Sequence, residues 1–312
     1  IDPAIKSPKK IELPNGETVT LEPVVRTKRR LGLKNFDPCT ILLNNELSAG
    51  TPGILEDLHE QYLLPPLHAG WSVRRKSNHL HSYEELSKRF GKLLGIDPWL
   101  INPIYARAEG VDVAEGRGID VLTSHVDAVL TKVRRKYKEY GINEKPFVVV
   151  KGGHSGSGSP GVVTVRDAKD VESLIGKPRG GASASVPAAS ARNAAGRDLR
   201  EPTELIVQEG VLTNERVHNG VAEPVVYMMD RYVVGGFYRV HAERAADENL
   251  KLPGASFVPL AFSESAHLPQ PGAKPGASAP NRFYMYGVVG RLAMVAASYE
   301  MEATDPDAEI YE

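Results

Sequence analysis

The chain has 312 residues, of which 41% are hydrophobic and 25% charged, the composition of a soluble globular protein long enough for two domains. Its 38 basic and 39 acidic residues give a net charge of −1, which disfavours bulk electrostatic attraction to nucleic acid or a membrane surface. One cysteine, Cys39, excludes an internal disulfide, and no apolar run approaches the roughly 18 residues that span a bilayer. We therefore expect a cytoplasmic protein without nucleic-acid or membrane partners.

The first third of the chain contains two candidate ligand-binding loops. The apolar strand predicted at 40–44 ends in a polar loop that holds Asn45, and open α/β sheets bind ligands at such strand ends. Helices are predicted over 54–63 and 81–94. Between these helices lie Arg74, Arg75 and Lys76, which are equally compatible with an anion-binding loop and with an exposed basic turn.

The middle of the chain resembles a strand–loop–strand flap. Apolar periodicity predicts an amphipathic helix over 119–140. The buried strand predicted at 146–150 ends at Lys151, and a Gly/Ser-rich loop then leads into a second strand at 162–165. Such a hairpin either closes over phosphates through its backbone N–H groups or is simply a mobile loop. It is not a P-loop, because the GK[ST] ending and the following helix are absent.

Two segments after the flap have contrasting compositions. Residues 176–197 have no acid and no large apolar side chain, so they cannot bury enough surface to fold alone, and a loosely packed excursion is predicted. A final helix is predicted over about 283–301, with a small apolar face suited to close packing.

Between these segments lies a stretch of predicted strands whose ends carry charges. The strands are expected at 205–207, 225–229 and 232–240. Buried charges beside so much apolar sequence must pair or face a ligand. The wall of a polyanion-binding site is therefore predicted from the polar residues at the strand ends, which include Gln208, Glu209, Asp230, Arg231, Arg239 and Asn249.

The order of these parts resembles the ATP-grasp arrangement, in which nucleotide lies between two α+β lobes. The resemblance is carried by the segments LNNELSAG, LLPPLHAGWSVRRKSNH, GIDPWLINP, HVDAVLTKVRRKYKEYGI, KPFVVVK, VTVRDA, VQEGV, AEPVVYMMDRYVVGGFYRVH, DENLKLPG, FVPLAF and PNRFYMYGVVGRLAMVAAS. These segments are similar to the proteobacterial glutamate–cysteine ligase family of ATP-grasp type. The family is longer at its N-terminus, so the resemblance implies an N-terminally shortened chain. It also implies a divergent flap, because the acid and tyrosine expected after Lys151 are absent.

The resemblance implies an α/β fold built of α+β lobes and two domains. Residues 1–110 would be the remnant of a Rossmann-like pre-ATP-grasp domain, and 111–312 the ATP-grasp domain. Within the latter, the flap lobe is expected at about 141–203 and the catalytic lobe at about 204–301.

The implied reaction uses ATP and Mg²⁺ to join the γ-carboxylate of glutamate to the amine of cysteine through an acyl phosphate, giving γ-glutamylcysteine for glutathione synthesis. Positioning and charge neutralisation dominate such phosphoryl transfer. The resemblance implies contacts to nucleotide by Lys151, Gln208, Glu209 and Gly210. It implies contacts to the transferred phosphate or the glutamate carboxylates by Arg231, Arg239 and Asn249. It implies metal ligation by Asp230, Glu248 and Asn249, and binding of the amino-acid substrates by Arg74, Arg75, Lys76 and Asn45.

Two other functions stay open at this point. An ATP-grasp ligase with a different amino-acid acceptor would show the same sequence features. A catalytically impaired relative could bind nucleotide without turnover, since the flap is rewritten. The sequence is also compatible with a homo-oligomer.

Overall fold

The structure is a computed structural model with a mixed α/β fold. It describes residues 5–43, 47, 51–58, 60–70, 73–113, 115–153, 162–174, 203–246, 248, 254–260 and 282–306. Asn45 and Asn249 lie outside these residues, as do the flap loop at 154–161 and the tract at 176–197. The chain divides into two compact units, of which the first comprises Ile1–Arg74 with Val186–Leu199 and the second comprises Arg75–Ser185 with Arg200–Glu312.

Three small sheets make up the described part of the first unit. They pair β1 (Lys9–Glu12) with β2 (Thr18–Leu21), β3 (Val25–Arg26) with β4 (Leu31–Gly32), and β5 (Thr40–Leu42) with β6 (Tyr62–Leu64). The first two pairs are antiparallel and the third is parallel. The Rossmann-like remnant stays a prediction.

The prediction of a helix over 54–63 is wrong. A single 3₁₀ turn spans Gly53–Leu55, and Asp57 then adopts a φ of +54°, which an α-helix cannot continue through. Only the end of the segment, Tyr62 and Leu63, enters β6, whose hydrogen bonds to β5 override the local helical pattern.

The second unit contains an antiparallel sheet in the order β7-β10-β8-β9. Its elements are α1 (Lys76–Leu94), β7 (Tyr105–Val111), α2 (Ile119–Glu139), β8 (Val148–Gly152), β9 (Val163–Val165) and β10 (Thr203–Glu209). Both predicted helices are confirmed, although α1 begins five residues earlier than expected. It ends at Gly95, whose φ of +68° suits a glycine cap.

Helix α2 covers one face of this sheet, because its apolar stripe is continuous. Leu122, Val126 and Val133 are fully buried against the sheet. Along β10, Leu205 and Val207 join that core. Alternation along a strand then places Glu204 and Gln208 on the opposite face.

A second antiparallel sheet follows in the order β11-β12-β13-β14. Its strands are β11 (Arg216–Val217), β12 (Gly220–Met229), β13 (Tyr232–His241) and β14 (Ser256–Pro259). Helix α3 (Arg282–Thr304), which confirms the predicted final helix, contacts β12, β13 and α1. On α3, Leu292 and Ala296 pack with Tyr83 of α1.

The compact units divide between Arg74 and Arg75, whereas the sequence-based domain boundary falls between 110 and 111, inside β7. Because β7 pairs with β10 over most of its length, residues before and after that boundary share one sheet. The assignment of 1–110 and 111–312 to two domains therefore stays a prediction.

Candidate functional site

Lys151 and Gln208 lie on the β7-β10-β8-β9 sheet, on the face that α2 does not cover. Strand register places Ile206 directly opposite Lys151 on β8 and Arg107 on β7. Residues directly opposite each other on neighbouring strands share a face of the sheet. Arg107 and Lys151 are two strands apart, which corresponds to about 10 Å. Arg107 and Lys151 thus flank a fully buried Ile206, and the Lys151 ammonium group donates a hydrogen bond to the side-chain oxygen of Gln208.

Arg107 is a candidate that the sequence analysis missed. Its Nε lies 2.8 Å from Oε2 of Glu204, an ion pair rather than a well-aligned hydrogen bond, and its guanidinium also contacts Glu109. The signal that could have found it is the alternation of Tyr105, Arg107 and Glu109 with alanines, which is typical of a half-buried strand.

Glu204 is a buried carboxylate that joins three elements. The hydroxyl of Ser77 donates to its Oε1 at 2.8 Å, and the Arg75 guanidinium lies 4.0 Å from its Oε2. With Arg107 on the other side, this carboxylate links α1 to β7 and β10. Burial of an acid is costly without such partners, so the cluster of Ser77, Arg75, Arg107 and Glu204 must form together.

The N-terminus of α1 is anchored on the first residues of the glycine-rich segment. The backbone N–H of Lys76 donates to the carbonyl oxygen of Gly153 at 2.8 Å, and its ammonium group donates to that of Gly152 at 2.7 Å. The N–H of Gly153 in turn donates to the carbonyl oxygen of Glu204. Of the predicted basic loop, Arg75 and Lys76 therefore lie beside the Lys151 strand, whereas Arg74 belongs to the first compact unit.

Glu209 lies on the other face of β10. Its carboxylate is 4% exposed and accepts hydrogen bonds from Trp99 Nε1 (2.9 Å) and from the Ile104 N–H (2.9 Å). Burial raises the pKa of the Glu209 carboxyl, against the opposing effect of these hydrogen bonds. Its side chain points away from Lys151 and Gln208, contrary to the expectation that Gln208 and Glu209 meet one nucleoside.

Gly210, which was also assigned to nucleotide, makes a close packing contact. Its N–H donates to the carbonyl oxygen of Phe147 at 2.8 Å, and a Cβ at this position would lie 2.0 Å from the Phe147 ring. Glycine is required there because the Phe147 ring occupies the space that a Cβ would fill, whatever the role of Gly210 toward ligands.

On the second sheet, Arg239 of β13 lies opposite Glu223 of β12 and forms an ion pair with it. The same face continues into an aromatic cluster, in which the Phe237 ring lies 6.0 Å from that of Tyr227 and 5.3 Å from that of Phe257. Arg239 is half-buried between these neighbours, so its guanidinium is held in place rather than extended into solvent.

Asp230 and Arg231 lie far from this group, at the tip of the β12–β13 hairpin. Asp230 has a φ of +52°, and the two side chains are 73% and 75% exposed. Eight residues of extended strand separate Arg231 from Arg239, a distance of about 25 Å. The structure therefore does not bring Asp230 and Arg231 together with Arg239, and the roles assigned to these residues toward phosphate, glutamate carboxylates and metal stay predictions.

Glu248 lies beyond the opposite end of β13, beside a cavity of about 500 Å³. The cavity is lined by His241, Ala242, Glu243, Arg244, Glu248 and Gly254. In the part of the chain that the structure describes, no three His, Cys, Asp or Glu side chains are grouped so as to hold a metal ion.

Comparison with known proteins identifies the family. The family model described as Glutamate-cysteine ligase (GshA) matches residues 1–301. The chain belongs to the glutamate–cysteine ligase family. A crystal structure from Methylobacillus flagellatus KT, of a protein provisionally named gamma-glutamylcysteine synthetase, is 46% identical, with a TM-score of 0.76. The match covers 97% of this chain and 68% of that one. A search of curated proteins finds no match.

For this glutamate–cysteine ligase family member, the predicted residues fall into separate groups. One group lies on the β7-β10-β8-β9 sheet, where Lys151 and Gln208 share a face, with Arg75 and Lys76 beside the end of β8. Arg239 lies on the other sheet, β11-β12-β13-β14. Among the described helices, none is long and apolar enough to cross a membrane.

Proposed function

We propose that this glutamate–cysteine ligase family member joins the γ-carboxylate of L-glutamate to the amine of L-cysteine at the expense of ATP. The product would be γ-glutamylcysteine, and the reaction would be the first step of glutathione biosynthesis. The observation that carries the proposal is the pair of cations Arg107 and Lys151 on one sheet face, at the base of the glycine-rich segment. Two fixed cations on one surface suit a polyphosphate.

The fold is proposed to be ATP-grasp-like, with nucleotide bound between the two antiparallel sheets of the second unit. Support comes from the strand that ends in Lys151 just before the Gly/Ser-rich segment. The second sheet contributes Arg239, which an ion pair and aromatic neighbours hold in place. The leading remnant at 1–110 belongs to the same proposal.

Each side chain in this proposal has a role that follows from its contacts. Lys151 and Arg107 neutralise phosphate charge, and Gln208 orients the Lys151 ammonium group. Arg239 meets the transferred phosphoryl group or a glutamate carboxylate. Glu209 stabilises β10 from the other face instead of meeting the nucleoside.

ATP would supply the phosphoryl group that activates the γ-carboxylate for attack by the amine. Mg²⁺ usually binds one or two carboxylates together with substrate phosphates. Of its predicted ligands, Glu248 lies beside the cavity, Asp230 lies at the hairpin tip, and Asn249 falls outside the described residues. The described residues do not assemble a full metal site, so no step is assigned to the ion.

The test is coupled ADP release with Mg-ATP, glutamate and cysteine, with the product identified by mass. We expect turnover that needs both amino acids and collapses in Lys151→Met. Lys92→Met, a change of an exposed lysine near the end of α1, is the matched control and should leave turnover intact. Loss of turnover in both variants alike, or turnover in neither the parent nor the control, would contradict the proposal.

A second candidate is nucleotide binding without turnover. The flap sequence favours it, because residues 152–160 lack the acid and tyrosine that the family resemblance leads us to expect. A rise in Tm with Mg-ATP, with ADP release absent for every amine tested, would identify this function. Release of ADP with an amine other than cysteine would instead indicate a ligase with a different acceptor.

A further inference from the structure

The cavity beyond the end of β13 has no role in the proposed phosphate chemistry. Its volume of about 500 Å³ is in the range of small-molecule sites. The strand fixes one wall, because His241 is the last residue of β13 and is buried. Gly254 lines the cavity beside His241, and its φ of +98° lets the chain turn back into β14.

The charged side chains among the described lining residues are one guanidinium and two carboxylates. Nη1 of Arg244 lies 3.8 Å from Oε1 of Glu248, beyond hydrogen-bond distance. The other oxygen of Glu248 accepts the Ala245 N–H at 2.8 Å, which fixes the orientation of the carboxylate. Glu243 adds a second acid to the lining. A cation and two acids in one cavity can hold a carboxylate and an ammonium group at the same time.

This lining disfavours the other ligands of the reaction. Among the cavity's described lining residues, two carboxylates outnumber one guanidinium, and no second cation offsets them as Lys151 does beside Arg107, so a polyphosphate is disfavoured. A divalent cation would face the guanidinium of Arg244, and no three acidic, His or Cys groups converge in the described residues. Glutamate would bring two carboxylates to one Arg. Cysteine brings one carboxylate and one ammonium group, with no net charge.

We infer that the cavity lined by Arg244, Glu243 and Glu248 binds the zwitterionic α-amino-acid acceptor, with Arg244 on its carboxylate and the glutamates on its ammonium group. This inference rests on the proposed ligase function, because the acceptor of that reaction is cysteine.

The experiment compares cysteine with cysteamine, which has the same amine and thiol but no carboxylate. In the full chain, Arg244→Ala should raise the KM for cysteine roughly tenfold or more, since hydrogen bonds between charged groups are lost. The same variant should leave the KM for cysteamine, glutamate and ATP unchanged. Arg134→Ala, a change of an exposed arginine on α2, is the control and should alter none of them.

Three results would overturn the inference. An equal loss for cysteine and cysteamine would show that Arg244 does not contact the carboxylate. A rise in the KM for glutamate alone would assign the cavity to the other amino acid. A rise in the KM for ATP alone would assign it to nucleotide or its metal ion.

Direct binding separates a failure of this inference from a failure of the proposed function. Calorimetric titration with L-cysteine should show binding to the parent chain and to Arg134→Ala, and at least tenfold weaker binding to Arg244→Ala. This pattern in a chain without ADP release would support the cavity while contradicting the ligase. Equal cysteine binding by the parent and Arg244→Ala in an active enzyme would overturn the inference alone.

Discussion

The backbone N–H of Lys76 donates to the carbonyl oxygen of Gly153, 2.8 Å away, so the first residue of α1 holds the start of the glycine-rich segment. The Lys76 ammonium group adds a second bond, to Gly152. The two residues that follow Lys151 are thereby bonded to the start of a helix. Lys151 itself is consequently held on a rigid strand.

Gly153→Ala should disturb this anchor. A Cβ at Gly153 would lie 2.3 Å from Oε1 of Glu204, so either the carboxylate or the strand must move. We expect the free energy of unfolding to fall by about 1–3 kcal/mol, as for other overpacked sites. Chemical denaturation measures it. Gly53→Ala is the control, because its Cβ would meet nothing closer than 3.9 Å, and a similar loss there would refute the packing argument.

The two acids that contact Arg107 should differ in importance. Glu204 is buried and also bonded to Ser77, whereas Glu109 is exposed. Glu204→Gln leaves two guanidinium groups beside a neutral amide, and we expect a loss of about 1–3 kcal/mol, discounted because both arginines are partly exposed. Glu109→Gln should cost less than about 1 kcal/mol. Equal losses in denaturation experiments would contradict the assigned role of Glu204.

Arg107 tests the phosphate surface separately from stability. Arg107→Gln should raise the KM for ATP roughly tenfold, because one charge-assisted contact to phosphate is lost. Arg107→Lys keeps the charge, so its KM for ATP should lie between that of Arg107→Gln and that of the parent. An unchanged KM for ATP, in a variant whose Tm falls, would make Arg107 a structural partner of Glu204 only.

The pH dependence of stability should reveal Glu209. Burial raises the pKa of its carboxyl in the folded state above the unfolded value. The unfolded chain therefore loses its proton first as the pH rises, and stability is lost from about pH 4 up to the folded pKa. Glu209→Gln removes this titration. The stability of the parent minus that of the variant should thus decrease over this range and then level off; an increase would contradict the assignment.

Local patterns predicted much of the second unit because its elements are strongly periodic. The stripe of Leu122, Val126 and Val133 specifies α2, and the β-branched runs specify β12 and β13. Lys151 and Gln208 were both found as strand-end residues. Their side-chain contact depends on the pairing of β8 with β10, and the sequence predicted the strands but not which of them pair.

The sequence misled where partners lie far apart along the chain. Segment 54–63 has a helical pattern, yet pairing with β5 converts its end into a strand. Glu209 is next to Gln208 in sequence but faces Trp99, 110 residues away, because neighbours in a strand point to opposite faces. Asp230 and Arg231 lie at the tip of a hairpin rather than beside Arg239, and their assigned roles stay predictions.

That hairpin provides a matched pair of arginines, Arg231 at its tip and Arg239 on β13. Arg239→Ala removes the half-buried guanidinium beside Glu223 and leaves that acid without its ion-pair partner. We expect kcat/KM for ligation to fall by about 100-fold, as when a charge that stabilises the transition state is lost. Arg231→Ala changes an exposed side chain about 25 Å away along β13, and its kcat/KM should stay within about twofold of the parent. Steady-state ADP release measures both. Comparable losses in the two variants would mean that a ligand, or a second copy of the chain, brings the hairpin tip into the reaction.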